Sequence, residues 1–168
     1  MPMGCHDPDT RRARAARMLK ADNRMPTVRH VLSEKGRDVY HIRPDASVFD
    51  ALRIMAEHHI GALVVLDDGH LAGIITERDY ARKIVLLGRT SPGTLVSEIM
   101  ATRVICARPE QTVEECMAVM TAKAVRHLPV LEHKKVVGIV SIGDMVKSII
   151  ADQKFIIEQL EHYIQGGR

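Results

Sequence analysis

"GIITERDYA" occupies Gly73–Ala81, and "GIVSIGDMV" occupies Gly138–Val146. Each runs glycine, two β-branched residues, a hydroxyl residue, two variable positions and an aspartate. Superposing them sets an offset of 65 residues, and the alignment then runs without a gap from Arg43/Arg108 to Asp79/Asp144. Identical pairs include Pro44/Pro109, Val48/Val113, Met55/Met120, Leu63/Leu128, Val65/Val130, Leu66/Leu131 and Ile74/Ile139. An internal repeat dictates architecture before any other feature does. Two copies imply a closed pseudo-two-fold pair rather than a solenoid.

Both copies share one grammar. An opening segment runs through a proline, "VYHIRPD" at Val39–Asp45 and "VICARPE" at Val104–Glu110. A helix start follows, "SVFD" at Ser47–Asp50 and "TVEE" at Thr112–Glu115, each a hydroxyl with an acid three residues on, as in a capping box. Val48, Ala51, Leu52 and Met55 then form an i, i+3, i+4, i+7 stripe, as do Val113, Cys116, Met117 and Met120. Two β-rich stretches come next, Ile60–Leu66 with His70–Thr76 and Val125–Leu131 with Lys135–Ser141, each pair split by a polar turn. Helices over Glu77–Leu87 and Ile142–Ile164 close the copies. One copy alone is too small to bury its sheet and both helices. The expected fold is therefore α+β: two β-α-β-β-α repeats packed through their sheets, with an N-terminal extension and a long C-terminal helix. The expected divisions are 1–24 as a flexible basic extension, 25–90 and 91–152 as the repeats, and 153–168 as the helix extension.

Apolar residues make up 46% of the chain and charged residues 27%, as in ordinary globular proteins. No apolar run approaches the roughly 18–20 residues of a membrane span, and the polar first two dozen residues do not read as a secretory signal. Cys5, Cys106 and Cys116 lack metal-site spacing and point to a reducing compartment, the cytoplasm. The formal charge of +3 sits entirely in residues 1–24, where six basic side chains face three acidic ones. A neutral body argues against a broad nucleic-acid face.

The repeated hydroxyl and acid stand where a strand gives way to a helix. Free N–H groups and the helix dipole make such a start an anion site. An aspartate one turn on, near Thr76 or Ser141, is placed to accept bonds from a ribose diol, as an acid does in dinucleotide folds. The competing reading is a plain capping box, which the same spacing describes. Duplication preserves caps as readily as binding sites.

The ordered set resembles a tandem pair of CBS domains, the regulatory module named after cystathionine β-synthase. The resemblance rests on "RPD"/"RPE", the amphipathic helices, "RHLPV" at Arg126–Val130 and the glycine–hydroxyl–aspartate closers, and it covers roughly residues 28–152. "TERDYARK" at Thr76–Lys83 is similar to the stand-alone bacterial branch. The resemblance implies a sensor of adenine nucleotides, AMP or NAD(H), with ATP as a further candidate, and no obligatory cofactor. One cleft would use Thr76, Arg78 and Asp79, with Tyr40, Ile42, Gly61 and Ala62 about the base. The sister cleft would use Ser141 and Asp144, with Ile105, Arg126 and His127; Arg126 has the alternative of serving the first cleft across the pair. Gly61 stands opposite Arg126, Arg78 opposite Gly143, and Val64 opposite Pro129, the last a departure from the family's usual proline. The two sites are therefore expected to be unequal, and a cleft holding both arginines should prefer more phosphate charge.

The nine histidines show no His-x₃-His pattern, and surface histidines are the simpler reading; His127 divides between a cleft role and a structural one. Cys116 falls on the core stripe. "RRARAARMLK" at Arg11–Lys20 suggests a solvated tail, with nucleic acid or an acidic partner as the competing reading. "MPTVRHVL" from Met25 resembles where such proteins begin. The apolar residues Ile149, Ile150, Ile156, Ile157, Leu160 and Ile164 exceed what one module needs, so a homodimer is expected. With no effector domain evident, either a partner protein would read the output or the chain would buffer or report nucleotide levels. Catalysis is disfavoured, because neither an activated nucleophile nor a phosphate-cradling glycine loop is evident.

Overall fold

The computed structural model describes residues 25–165; the basic stretch Arg11–Lys20, with Cys5 and His6, lies outside them. The chain forms α1 (Val28–Lys35), β1 (His41–Ile42), α2 (Val48–Glu57), β2 (Ala62–Asp67), β3 (His70–Thr76), α3 (Glu77–Tyr80), α4 (Val96–Ile99), α5 (Val113–Ala122), β4 (His127–Glu132), β5 (Lys135–Ser141) and α6 (Ile142–Gln165). In the first sheet β1 runs parallel to β2, and β2 antiparallel to β3. The second sheet is the antiparallel pair β4–β5. Register slips occur between Val65 and Leu66 and between Val130 and Leu131, so the repeat extends to its irregularities. β3 packs against β5 and joins the two halves through their sheets.

Two expectations are modified. The second opening segment is a single parallel bridge, Ala107 to Val130, rather than a strand. Its bonds are Ala107 N–H to the Pro129 carbonyl and Leu131 N–H to the Ala107 carbonyl, each 2.9 Å. The helix expected over Glu77–Leu87 is α-helical for one turn only, then widens to a π-helical turn over Ala81–Val85. That turn carries Ile84 into the core while Val85, Leu86 and Leu87 stay exposed.

Two cores result. Ile42, Val48, Met55, Leu63, Val65, Ile75 and Ile84 form the first, which α4 closes with Val96 and Ile99. Val113, Cys116, Met120, Leu128, Val130, Val140 and Met145 form the second, which α1 closes with Val28, Val31 and Leu32. The first helix among the described residues thus belongs to the second body. Reciprocal bonds of 2.9 Å fix it there, Val28 N–H to the Gln111 carbonyl and Val113 N–H to the Pro26 carbonyl. Val48 N–H to Thr94 and Val96 N–H to Ala46 do the same for α4, also at 2.9 Å. Gly36 ends α1 at φ +97° and ψ 163°, a conformation open essentially to glycine. Residues 36–40 then cross to the first body.

The glycine that opens each quoted stretch has a steric cause. A Cβ on Gly138 would lie 2.5 Å from Leu32 Cδ2, and one on Gly73 would lie 2.8 Å from both Met100 Sδ and the Ala101 carbonyl oxygen. That carbonyl cannot retreat easily, because Ile74 N–H holds it at 3.0 Å. Gly73→Ala should therefore cost about 1–3 kcal/mol in urea unfolding, the usual range for overpacking. Gly143→Ala, whose Cβ would meet only Ser141 Oγ at 3.6 Å, should stay within about 0.5 kcal/mol of the parent.

Candidate functional site

The crossing segment and the two sheets enclose a cavity of about 430 Å³. Lys35 comes from the end of α1, Gly36, Asp38 and Tyr40 from the crossing, His59, Ile60 and Gly61 from the turn before β2 and Ala62 from its first position, and His127, Ile139, Ser141 and Asp144 from the second body. The Tyr40 ring is braced by stacking on His58, with centroids 3.9 Å apart and planes at 23°.

The closing aspartates are both caps. Asp144 Oδ2 accepts from Ser141 N–H at 2.7 Å and from Ser141 Oγ at 2.9 Å, while Asp144 N–H donates to Ser141 Oγ at 3.2 Å. Asp79 repeats this with Thr76, at 3.1, 2.7 and 3.2 Å. The first N–H of each helix is also spent, Glu77 on the Gly61 carbonyl at 3.1 Å and Ile142 on the Arg126 carbonyl at 2.9 Å. The free donors that make a helix start an anion site are therefore fewer here than the sequence suggests.

The two aspartates differ in their counter-ions. Lys83 pairs with Asp79 Oδ1 at 2.9 Å from one turn along the same helix. Lys35 reaches Asp144 Oδ2 from α1 at 2.6 Å and also donates to the Ile139 carbonyl at 3.2 Å. Burial pushes the Asp144 carboxyl up. The bonds from Lys35 and Ser141 outweigh it and leave the pKa below the ordinary carboxylate range. His127 moves down as well. Burial is the main cause and the Lys35 ammonium the next, with Arg126 and Arg78 adding to it and Asp144 opposing. Burial raises the Cys106 thiol.

The twelve residues singled out by sequence distribute as follows. Tyr40, Gly61, Ala62, His127, Ser141 and Asp144 share the main cavity, so the first repeat's base-side residues meet the second repeat's hydroxyl and acid. Arg78 and Arg126 share a neighbouring cleft of about 300 Å³ with Met120, Thr121, Ala124, Val125 and Ile142. Arg78 also donates to the Ala124 carbonyl at 2.9 Å. Thr76 and Asp79 line neither space. Ile42 is buried in the first core, and Ile105 packs on the second. Sequence reasoning missed Lys35 and Asp38, because the repeat alignment begins at Arg43. A signal was present: Val28, Val31 and Leu32 match Val96, Ile99 and Met100 at a shifted offset of 68 residues.

Among the described residues no group of side chains is arranged to hold a metal ion. None of their helices is long and apolar enough to cross a membrane.

Comparison with known proteins places these features in a family. The signature described as CBS domain matches residues 28–86 and again 96–151. The chain is 40% identical over 161 residues to the CBS domain-containing protein CBSX3, mitochondrial, of Arabidopsis thaliana, covering 90% of this chain and 78% of that protein. It resembles the solved structure of a putative signal-transduction protein with CBS domains from Burkholderia ambifaria, with a TM-score of 0.73, 51% identity, and 76% of this chain and 96% of that one covered. It also resembles the CBS domain pair of the protein MJ0100, solved in complex with 5′-methylthioadenosine and S-adenosyl-L-methionine, with a TM-score of 0.68, 26% identity, and 76% and 98% covered.

Because folding holds His127 below its ordinary value near 6.5, the unfolded chain takes up that proton first. Its contribution to stability is complete above about pH 6.5 and is lost as pH falls through the depressed value. Stability measured by urea unfolding should therefore drop between about pH 7 and 5, and less so in His127→Gln. The Asp144 contribution has the same sign in a lower window. It is complete above the ordinary carboxylate value of about 4 and is lost below it.

Proposed function

The chain belongs to the CBS-domain family, and from that footing we propose that it is a non-catalytic regulatory module that binds an adenine nucleotide between its two bodies. The observation that carries this reading is the cavity itself, where the Tyr40 ring and the Gly61–Ala62 backbone face Ser141 and Asp144. AMP or NAD(H) are the ligands proposed, with ATP as the next candidate. Asp144 and Ser141 serve the ribose hydroxyls, and Tyr40, Gly61 and Ala62 flank the base beside His127. Arg78 and Arg126 offer the neighbouring cleft for further phosphate. Thr76 and Asp79 are assigned to a weaker second half-site. Ile42 and Ile105, with their side chains turned to the cores, would offer a ligand only their backbone. The adenosyl ligands bound to the related MJ0100 pair support this choice of class.

Binding at a junction of two bodies shifts their relative position by as much as the ligand's affinity differs between the two arrangements. An effector protein would read that shift. A reducing compartment such as the cytoplasm suits the free Cys106 and Cys116. Catalysis is not proposed, because both aspartates are engaged as caps and ion-pair partners. Calorimetric titration with AMP, ADP, ATP, NAD, NADH and S-adenosylmethionine tests the reading. Saturable micromolar binding is expected, weakened at least about tenfold in Asp144→Ala by loss of charge-assisted bonds, and less in Asp79→Ala. No binding to any of them would sink it. If deleting residues 1–24 abolished a salt-sensitive affinity for nucleic acid, the competing tail-driven function would gain instead.

We also propose a homodimer through α6. Phe155, Ile157, Leu160 and Ile164 are 46, 55, 43 and 73% exposed along its outer half, more apolar surface than a solvated helix face carries. Sedimentation should report a dimer for the parent chain and a monomer for the double variant Ile157→Glu, Leu160→Glu.

A further inference from the structure

We infer that Lys35 biases the charge class of the ligand, tilting the cavity between the bodies toward a phosphorylated nucleoside and away from a cationic one. The inference rests on the adenosine-binding reading above and deepens it.

Among the residues that line this cavity Lys35 is the one fixed cation, set against the carboxylates of Asp38 and Asp144. His127 does not offset them, since burial and Lys35 itself favour its neutral form. Arg78 and Arg126 open on the neighbouring cleft. The lining therefore carries a formal charge of −1 with Lys35 and −2 without it. A phosphate brought into the second environment would find no fixed cation in the lining, with Arg78 and Arg126 acting only from the neighbouring cleft, whereas a sulfonium would be attracted.

The geometry lets Lys35 change partners. Its side chain is 40% exposed, so its flexible stem has room to move, and a pair this exposed contributes little to stability. Asp144 Oδ2 keeps two bonds from Ser141 when the ammonium leaves, so its charge is not stranded. A ribose diol arriving at Asp144 competes with Lys35 for the carboxylate and frees the ammonium for the phosphate of the same ligand. The base and the diol need nothing from Lys35. Its effect is therefore confined to what the ligand carries at the 5′ position.

Paired titrations of the full chain with AMP and with 5′-methylthioadenosine isolate this effect. Both ligands present the same base and diol, so any change at Asp144 cancels in the ratio of their affinities. That ratio should fall at least about tenfold in Lys35→Met and stay within about threefold in Lys35→Arg. S-adenosylmethionine should bind Lys35→Met more tightly than it binds the parent. Asp38→Asn leaves the ion pair untouched and should move the ratio the other way, toward AMP. It carries the test should Lys35→Met fail to fold. A parent chain that binds both ligands, with a ratio unchanged in Lys35→Met or in Asp38→Asn, overturns the inference and leaves the adenosine reading standing. A parent chain that binds neither overturns both.

Discussion

The docking of α1 on the second body sets the geometry of everything around the cavity. Val28 and Val113 exchange backbone bonds with Gln111 and Pro26, and Leu32 seats over Gly138, where no Cβ intervenes. From α1, docked on the second body, the chain must therefore cross to the first body before β1. Gly36 makes the crossing sterically possible, and residues 36–40 become a wall of the cavity. Without that docking, the second core would lose Val28, Val31 and Leu32. Lys35 would also no longer be held beside Asp144.

The same constraint explains why two nearly equal half-sites are chemically unequal. α1 and α4 play matching parts, one over each sheet. Only α1 ends with a lysine that reaches the neighbouring aspartate, while Asp79 draws its counter-ion from its own helix. One carboxylate is thus tied to a separate element and the other to its own turn. An event that disturbs Asp144 is felt by the segment joining the bodies. The counter-ion of Asp79 sits on its own helix and is held in turn by the Ile99 carbonyl of α4, to which Lys83 also donates.

Capping and ligand binding are not rivals here. The cap holds Asp144 Oδ2 with two bonds from Ser141 and so fixes the carboxylate in a single orientation. A pre-oriented acid loses less freedom when it accepts a diol than a free one would. The hydroxyl and acid kept three residues apart in both copies serve first to start a helix. In the second copy they also present an oriented carboxylate to a cavity.

The sequence by itself determined the repeat and its offset, the α+β class, the long last helix and the strand limits of β3 and β5. These follow from local signals, namely period, capping pattern and turn chemistry, which need no knowledge of distant contacts. The hydroxyl and acid that stand in register between the copies supplied Ser141 and Asp144 of the main cavity, whereas Tyr40, Gly61, Ala62 and His127 followed only from the resemblance to CBS pairs. Only the tertiary structure decided which of them meet. Tyr40, Gly61 and Ala62 face Ser141 and Asp144 across the junction rather than Thr76 and Asp79 within their own repeat. Lys35 and Asp38 joined them from a segment outside the repeat alignment. An alignment of copies compares residues that are equivalent. A site at a pseudo-two-fold junction is built from residues that are adjacent, and adjacency across the axis is set by the packing of β3 on β5 and of α1 on the second core.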